Sequence, residues 1–185
     1  MGKLSVLATA FSYPYPGCLE DLQLEVTNMP SGPARQHLAA FLARIRRLSL
    51  PAWEELYTRT LDLDPSTAPY VGFQTWGESY QRGTFLSHMS AALQQAGVSP
   101  GGELPDHLAP VLLYLDSTEQ PLPELLEVLE PAIQRMHHVL QRRDPHNPYI
   151  SLLQAAIAYV QDLPGTPPGA DSNAAGKILL SERSQ

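Results

Sequence analysis

Cysteine is almost missing from this chain of 185 residues: Cys18 stands alone. One thiol closes no disulfide framework, cysteine-built zinc site or iron–sulfur cluster within a single chain. Long apolar runs are missing too. No stretch approaches the roughly 18 residues a membrane-crossing helix needs, so the chain reads as no integral membrane protein. Sustained period-two alternation of β-branched residues is absent, so strands are not needed. Bases are scarcest in the middle, where residues 51–130 hold twelve acids but only Arg59 and Arg82. The formal charge of the whole is −7, which argues against nucleic acid as a partner. The acidic centre steers a basic partner towards it.

What is present is helical spacing. With 43 % hydrophobic and 17 % charged residues the chain is globular. Apolar side chains recur at three- and four-residue steps through Leu38, Phe41, Leu42, Ile45 and Leu48, and through Leu86, Met89, Leu93 and Ala96. The longest stripe runs Leu122, Leu125, Leu126, Leu129, Ile133, Met136, Leu140, and a last helix carries Tyr149, Leu153, Ala156, Ile157, Val160 and Leu163. The 18 prolines punctuate these helices. The predicted fold is all-α, a compact single-domain bundle with short loops over residues 1–163. A Pro/Gly-rich linker and flexible tail follow over 164–185. In that tail Lys177-Ile178-Leu179-Leu180 is an apolar patch and a candidate occupant of the protein's own peptide groove. At the N-terminus the apolar run is short and broken by Ser5 and Thr9. It predicts a first helix rather than a secretory signal, hence a cytoplasmic protein.

Several blocks invite chemical readings. Asp62-x-Asp64-x-Ser66 begins like a calcium loop, but Thr67 and Phe73 stand where glycine and a bidentate glutamate are required. Asp64-Pro65 is expected instead to cap and open a helix towards Trp76. Gly77-Glu78-Ser79-Tyr80-Gln81-Arg82-Gly83 lacks the spacing and the lysine of a phosphate loop. There Gly77 breaks one helix, Glu78 and Ser79 start the next, and Glu78 pairs with Arg82 four residues on. In Glu103-Leu104-Pro105-Asp106-His107-Leu108 the neighbours Asp106 and His107 diverge by about 100° if helical, so a catalytic dyad is not expected. Pro110 deprives the Asp106 carbonyl of its helical partner, so Asp106 either lies ahead of the regular helix or keeps a free carbonyl at a kink. Either way an acid, an imidazole and an unpaired acceptor are expected together. Trp53, Tyr57, Phe73, Trp76 and Tyr80 surround these blocks, and Tyr57 and Trp76 are expected at the rim or floor of a groove. His137, His138 and His146 lack the pattern of a metal site.

Tyr57, the Asp62–Thr67 block, the Gly77–Gly83 block and Glu103–Leu108 together resemble the delta-subunit (NarJ-type) assembly chaperones of respiratory nitrate reductase. These lie within the wider redox-enzyme maturation chaperone family (TorD/DmsD/NarJ-like). Glu78 departs from the aspartate commoner in that block, and His107 from a frequent tyrosine. The resemblance implies a chaperone, with no catalytic residue, metal or cofactor of its own. Its partner is the apo catalytic (alpha) subunit of a molybdoenzyme, bound through a basic N-terminal peptide in the cytoplasm. It assists molybdenum-cofactor insertion before membrane assembly. The expected client-binding residues are Asp106, His107, Glu103, Tyr57, Trp76, Glu78, Arg82, Asp62 and Asp64. Related chaperones serve selenate, chlorate, dimethyl-sulfide and ethylbenzene enzymes, so the client is open, and a second copy of the chain is a further candidate partner. The rival readings are a small helical nucleotide-binding enzyme using Asp106 and His107, and a structural helical adaptor.

Overall fold

The computed structural model describes residues 4–163; the expected linker and tail, with the Lys177–Leu180 patch, lie outside the described residues. Among these residues there are nine α-helices and no strand. They are α1 (Ser5–Ala10), α2 (Cys18–Asn28), α3 (Pro33–Ile45), α4 (Leu50–Tyr57), α5 (Val71–Trp76), α6 (Tyr80–Gln95), α7 (Leu108–Ser117), α8 (Pro123–Arg143) and α9 (Tyr149–Gln161). The all-helical fold is the one the apolar spacing predicts. No helix among the described residues is long and apolar enough to cross a membrane.

The α9 helix is the hub, packed on α3 and α8, while α1 lies on α7 and α5 lies on α8. The α8 stripe buries Leu125, Leu129, Ile133, Met136 and Leu140, as its spacing requires. Buried Glu130 on the same helix accepts from Gln134 Nε2 at 2.8 Å and from Gln161 Nε2 at 2.7 Å, which fastens α8 to α9. An aromatic knot of Phe41, Trp53, Tyr57 and Tyr149 closes the core. Phe41 and Tyr57 lie 5.3 and 6.3 Å from the Tyr149 ring centroid. Both polar tips are satisfied inside: Trp53 Nε1 donates to Tyr149 Oη at 3.0 Å, and Tyr57 Oη to the Phe11 carbonyl at 3.1 Å.

Helix α4 does not end cleanly. It widens into a π-helical turn, Thr58–Asp62, where the Leu63 amide reaches back five residues to the Thr58 carbonyl at 2.9 Å. Asn147, ahead of α9, donates to Thr60 Oγ1 at 3.0 Å and so holds this turn against the body of the protein.

The structure corrects one local expectation. Asp64 does cap, its Oδ1 accepting from the Ser66 amide at 3.0 Å and its carbonyl from Thr67 and Ala68 at 3.0 and 2.9 Å. The helix nevertheless does not start there. Pro69 has no amide to donate and biases Ala68 away from helical geometry, so the turn stops and α5 begins at Val71.

Candidate functional site

Two segments far apart in sequence meet at a single antiparallel bridge between Tyr70 and His107. Val71 donates its amide to the Asp106 carbonyl and Leu108 to the Pro69 carbonyl, each at 2.8 Å. These bonds explain why Asp106 and His107 precede α7 instead of belonging to it. The Asp106 carbonyl is therefore not the unpaired acceptor that Pro110 predicts; it satisfies a free amide at the start of α5. The acceptor without a partner among the described residues is instead the carboxylate Oδ1 of the same residue. His107 caps α7, its Nδ1 accepting from the Ala109 amide at 3.1 Å. That bond places the proton of the neutral ring on Nε2.

Asp106 is wholly buried, 0 % exposed. Its Oδ2 accepts from Arg82 Nε at 3.1 Å, and the same guanidinium donates through NH1 to Glu78 Oε1 at 2.7 Å. The guanidinium carbon stands 5.2 Å from the Phe73 ring centroid and 5.9 Å from that of Tyr70. Ser79 makes this possible by capping α6 through the Arg82 amide, after Gly77 ends α5 at φ 60°. Gly72 lies over the ion pair, where a Cβ would fall 2.8 Å from Asp106 Oδ2. Tyr70 joins the last block, donating its hydroxyl to Glu103 Oε2 at 2.7 Å and meeting the His107 ring edge-on at 5.1 Å.

Six of the nine expected residues thus share one neighbourhood: Glu78, Arg82, Glu103, Asp106 and His107, with Asp62 within electrostatic reach. Burial first, and then the Glu103 charge, pushes the Asp62 carboxyl above its ordinary value. Trp76 is half-buried against Phe85, their centroids 5.1 Å apart. Tyr57 lies deeper, in the core; burial, followed by the charges of Asp62 and Glu103, pushes its hydroxyl well up. Asp64 faces elsewhere, bonded to Arg143 NH1 of α8 at 2.6 Å. Though burial works against it, Ser66 and Arg143 hold the Asp64 carboxyl below its usual range. Next to these acids in the chain, Tyr80, Leu63 and Leu104 are exposed, at 89 %, 74 % and 47 %.

Sequence reasoning missed Tyr70 and Gly72, and it did not join Arg82 to Asp106. The signal in Pro69-Tyr70-Val71-Gly72 was slight, a proline and a glycine around an aromatic residue. Asp106 bonds to Arg82 and makes no hydrogen bond to His107, so the pair forms no acid–imidazole relay. Among the described residues no group of three metal-ligating side chains gathers, and His137 and His138 merely tilt against each other at 5.8 Å. A cleft of about 540 Å³ does exist, but it is lined by Arg44, Arg47, Arg59 and residues near the α8–α9 connection and contains none of the expected side chains.

Burial holds the His107 imidazole below its usual range, against the opposing pull of Glu103 and Asp106. The folded state therefore favours the neutral ring, and its contribution is present above the unfolded value near about 6.5. It is lost as pH falls below that value, because the unfolded chain then takes the proton more readily. His137, held down by burial and by His138 and His37, acts in the same direction. Urea unfolding between pH 7 and 5 should show stability falling, and His107→Asn, which keeps a capping acceptor, should reduce the slope. An unchanged slope would assign the effect to other groups.

The family model for the nitrate reductase delta subunit matches residues 28–146, which contain every residue of this neighbourhood. A Bacillus subtilis (strain 168) protein, described as a probable nitrate reductase molybdenum cofactor assembly chaperone NarJ, is 26 % identical over 164 residues. The alignment covers 86 % of this chain and 88 % of that relative.

Proposed function

This chain belongs to the nitrate reductase delta subunit family, and from that premise we propose that it is an assembly chaperone for a nitrate reductase, assisting molybdenum-cofactor insertion. It works in the cytoplasm by binding and release and turns over no substrate. Its client is the apo catalytic subunit, held by a basic N-terminal segment until the cofactor is in place and before the enzyme is assembled at the membrane.

The observation that carries this reading is an acidic rim left open. Asp62 and Glu103 are both exposed, neither has a cationic partner among the described residues, and burial first and then the Glu103 charge raise the Asp62 carboxyl. A basic peptide supplies the missing counter-charge, and the exposed Tyr80, Leu63 and Leu104, next to the acids in the chain, offer apolar contact. Glu78 extends the rim, and half-buried Trp76 supplies a rigid face. Asp106, His107 and Arg82 hold the rim from within, and Asp64 anchors the preceding loop to α8 through Arg143, while Tyr57 belongs to the core behind them.

The test begins with the tagged protein in its host respiring nitrate without oxygen: the apo catalytic subunit should be captured and identified by mass spectrometry. Calorimetry with that subunit's N-terminal peptide then examines the rim. Asp62→Asn together with Glu103→Gln should weaken binding about tenfold, the sum of two exposed charge pairs. Affinity should also fall as pH drops through the carboxylate range, with Asp62 losing its charge early. Binding indifferent to both substitutions and to pH would overturn the reading.

A further inference from the structure

We propose that the enclosure around the Arg82 guanidinium is an exchangeable guanidinium subsite, filled by Arg82 in the free protein and given over to an arginine side chain of the client. This rests on the reading above that the client segment is basic. Four groups address the guanidinium: the carboxylates of Asp106 and Glu78, at 3.1 and 2.7 Å, and the rings of Phe73 and Tyr70, at 5.2 and 5.9 Å. Carboxylates accept the in-plane N–H groups while aromatic faces attract the cation, a combination suited to arginine and poorly matched by the compact ammonium of lysine.

Two features mark an occupant that changes. Arg82 reaches Asp106 through Nε alone, and the other carboxylate oxygen, Oδ1, is buried without a partner among the described residues. An arginine entering with its fork towards Asp106 satisfies both oxygens, where the resident side chain satisfies one. The guanidinium is itself buried, but one of its two carboxylate partners reaches solvent. The Glu78 side chain is 79 % exposed, the Asp106 side chain 0 %, and the Arg82 side chain between them 8 %. A client cation therefore meets Glu78 first, and Arg82 leaves by the same edge. Because one cation replaces another, Asp106 is never left as an uncompensated buried charge, the costly outcome for such a pair. Gly72 lets the resident pair pack against α5, since any Cβ there would meet Asp106 and the stem of Arg82.

The first variant is Arg82→Lys, which keeps a positive charge for Asp106 but surrenders the planar fork and the ring contact. It should bind a peptide with two adjacent arginines about tenfold more tightly than the wild type, because its own side chain competes less well. The dilysine version of the peptide should show no such gain. Equal or weaker binding of the diarginine peptide overturns the proposal. An independent measurement uses Arg82→Ala and ethylguanidinium as probe. Millimolar ethylguanidinium should raise the thermal midpoint of this variant saturably, and should not do so when Asp106→Asn is added. An absent or equal shift in both proteins overturns it. If the wild type binds no basic peptide while ethylguanidinium still rescues Arg82→Ala, the subsite stands and the reading of the client's chemistry fails.

Discussion

Replacing Asp106 with alanine should lower the unfolding free energy by about 3–5 kcal/mol, the cost of stranding one partner of a buried ion pair. The carboxylate is completely enclosed, and the Arg82 side chain it holds is only 8 % exposed. Without it the guanidinium keeps Glu78, a solvated partner of small worth, and the faces of Phe73 and Tyr70, with no buried counter-charge. A loss of this size takes a large part of the roughly 5–15 kcal/mol that stabilises an ordinary domain. Urea denaturation reads it directly as a fall in midpoint. The companion experiment separates stability from recognition. In the double variant Arg82→Met, Asp106→Leu the charges disappear together, and stability should return to near wild type, as apolar replacements of buried ion pairs commonly do. The affinity for a basic peptide should stay lost. If Asp106→Ala costs less than about 1 kcal/mol, the pair behaves as a surface contact and the rim does not depend on it.

Gly72→Ala should be the next most damaging change, and its sign is the informative part. Gly72 lies inside α5, where alanine is ordinarily favoured by about 1 kcal/mol. Its backbone is not left-handed, so conformational freedom is no reason for glycine. The reason is space: a Cβ would stand 2.8 Å from Asp106 Oδ2, 3.0 Å from Phe85 Cδ1 and 3.3 Å from Arg82 Cγ. The nearest of these is a carboxylate fixed by its ion pair, and Phe85 is itself buried. Overpacking of this kind costs about 1–3 kcal/mol, enough to outweigh the helical gain. A drop of about 2–4 °C in Tm for each kcal/mol lost is expected in a domain of this size. Peptide affinity should fall with it, because Asp106 and Arg82 are pushed from their places. A stabilised Gly72→Ala protein would mean that the ion pair yields readily, and would speak against a built site.

The helices were legible because burial writes itself into spacing: the α8 stripe from Leu125 to Leu140 needs nothing beyond one face of a helix. The Glu78–Arg82 pair was legible in a similar way, its members four residues apart across the Ser79 cap of α6. The start of α5 was not, because a good cap at Asp64 competes with Pro69, and local preference does not say which prevails. Nor was the partner of the Asp106 carbonyl. Pro110 shows that the helical partner is missing, but the amide that replaces it belongs to Val71, across a bridge with no periodic signature. The union of Arg82 with Asp106 was hidden likewise, since a contact between separate elements depends on packing rather than on neighbours in the chain.

The Tyr70–His107 bridge closes a loop that contains all of α5 and α6 and the turn through Gly101 and Gly102. The contact of Arg82 with Asp106, 24 residues apart in the chain, lies inside that loop. The entropy of closing it is therefore set against the same contacts that build the site, and a shorter connection through Gly101 and Gly102 is expected to stabilise both together.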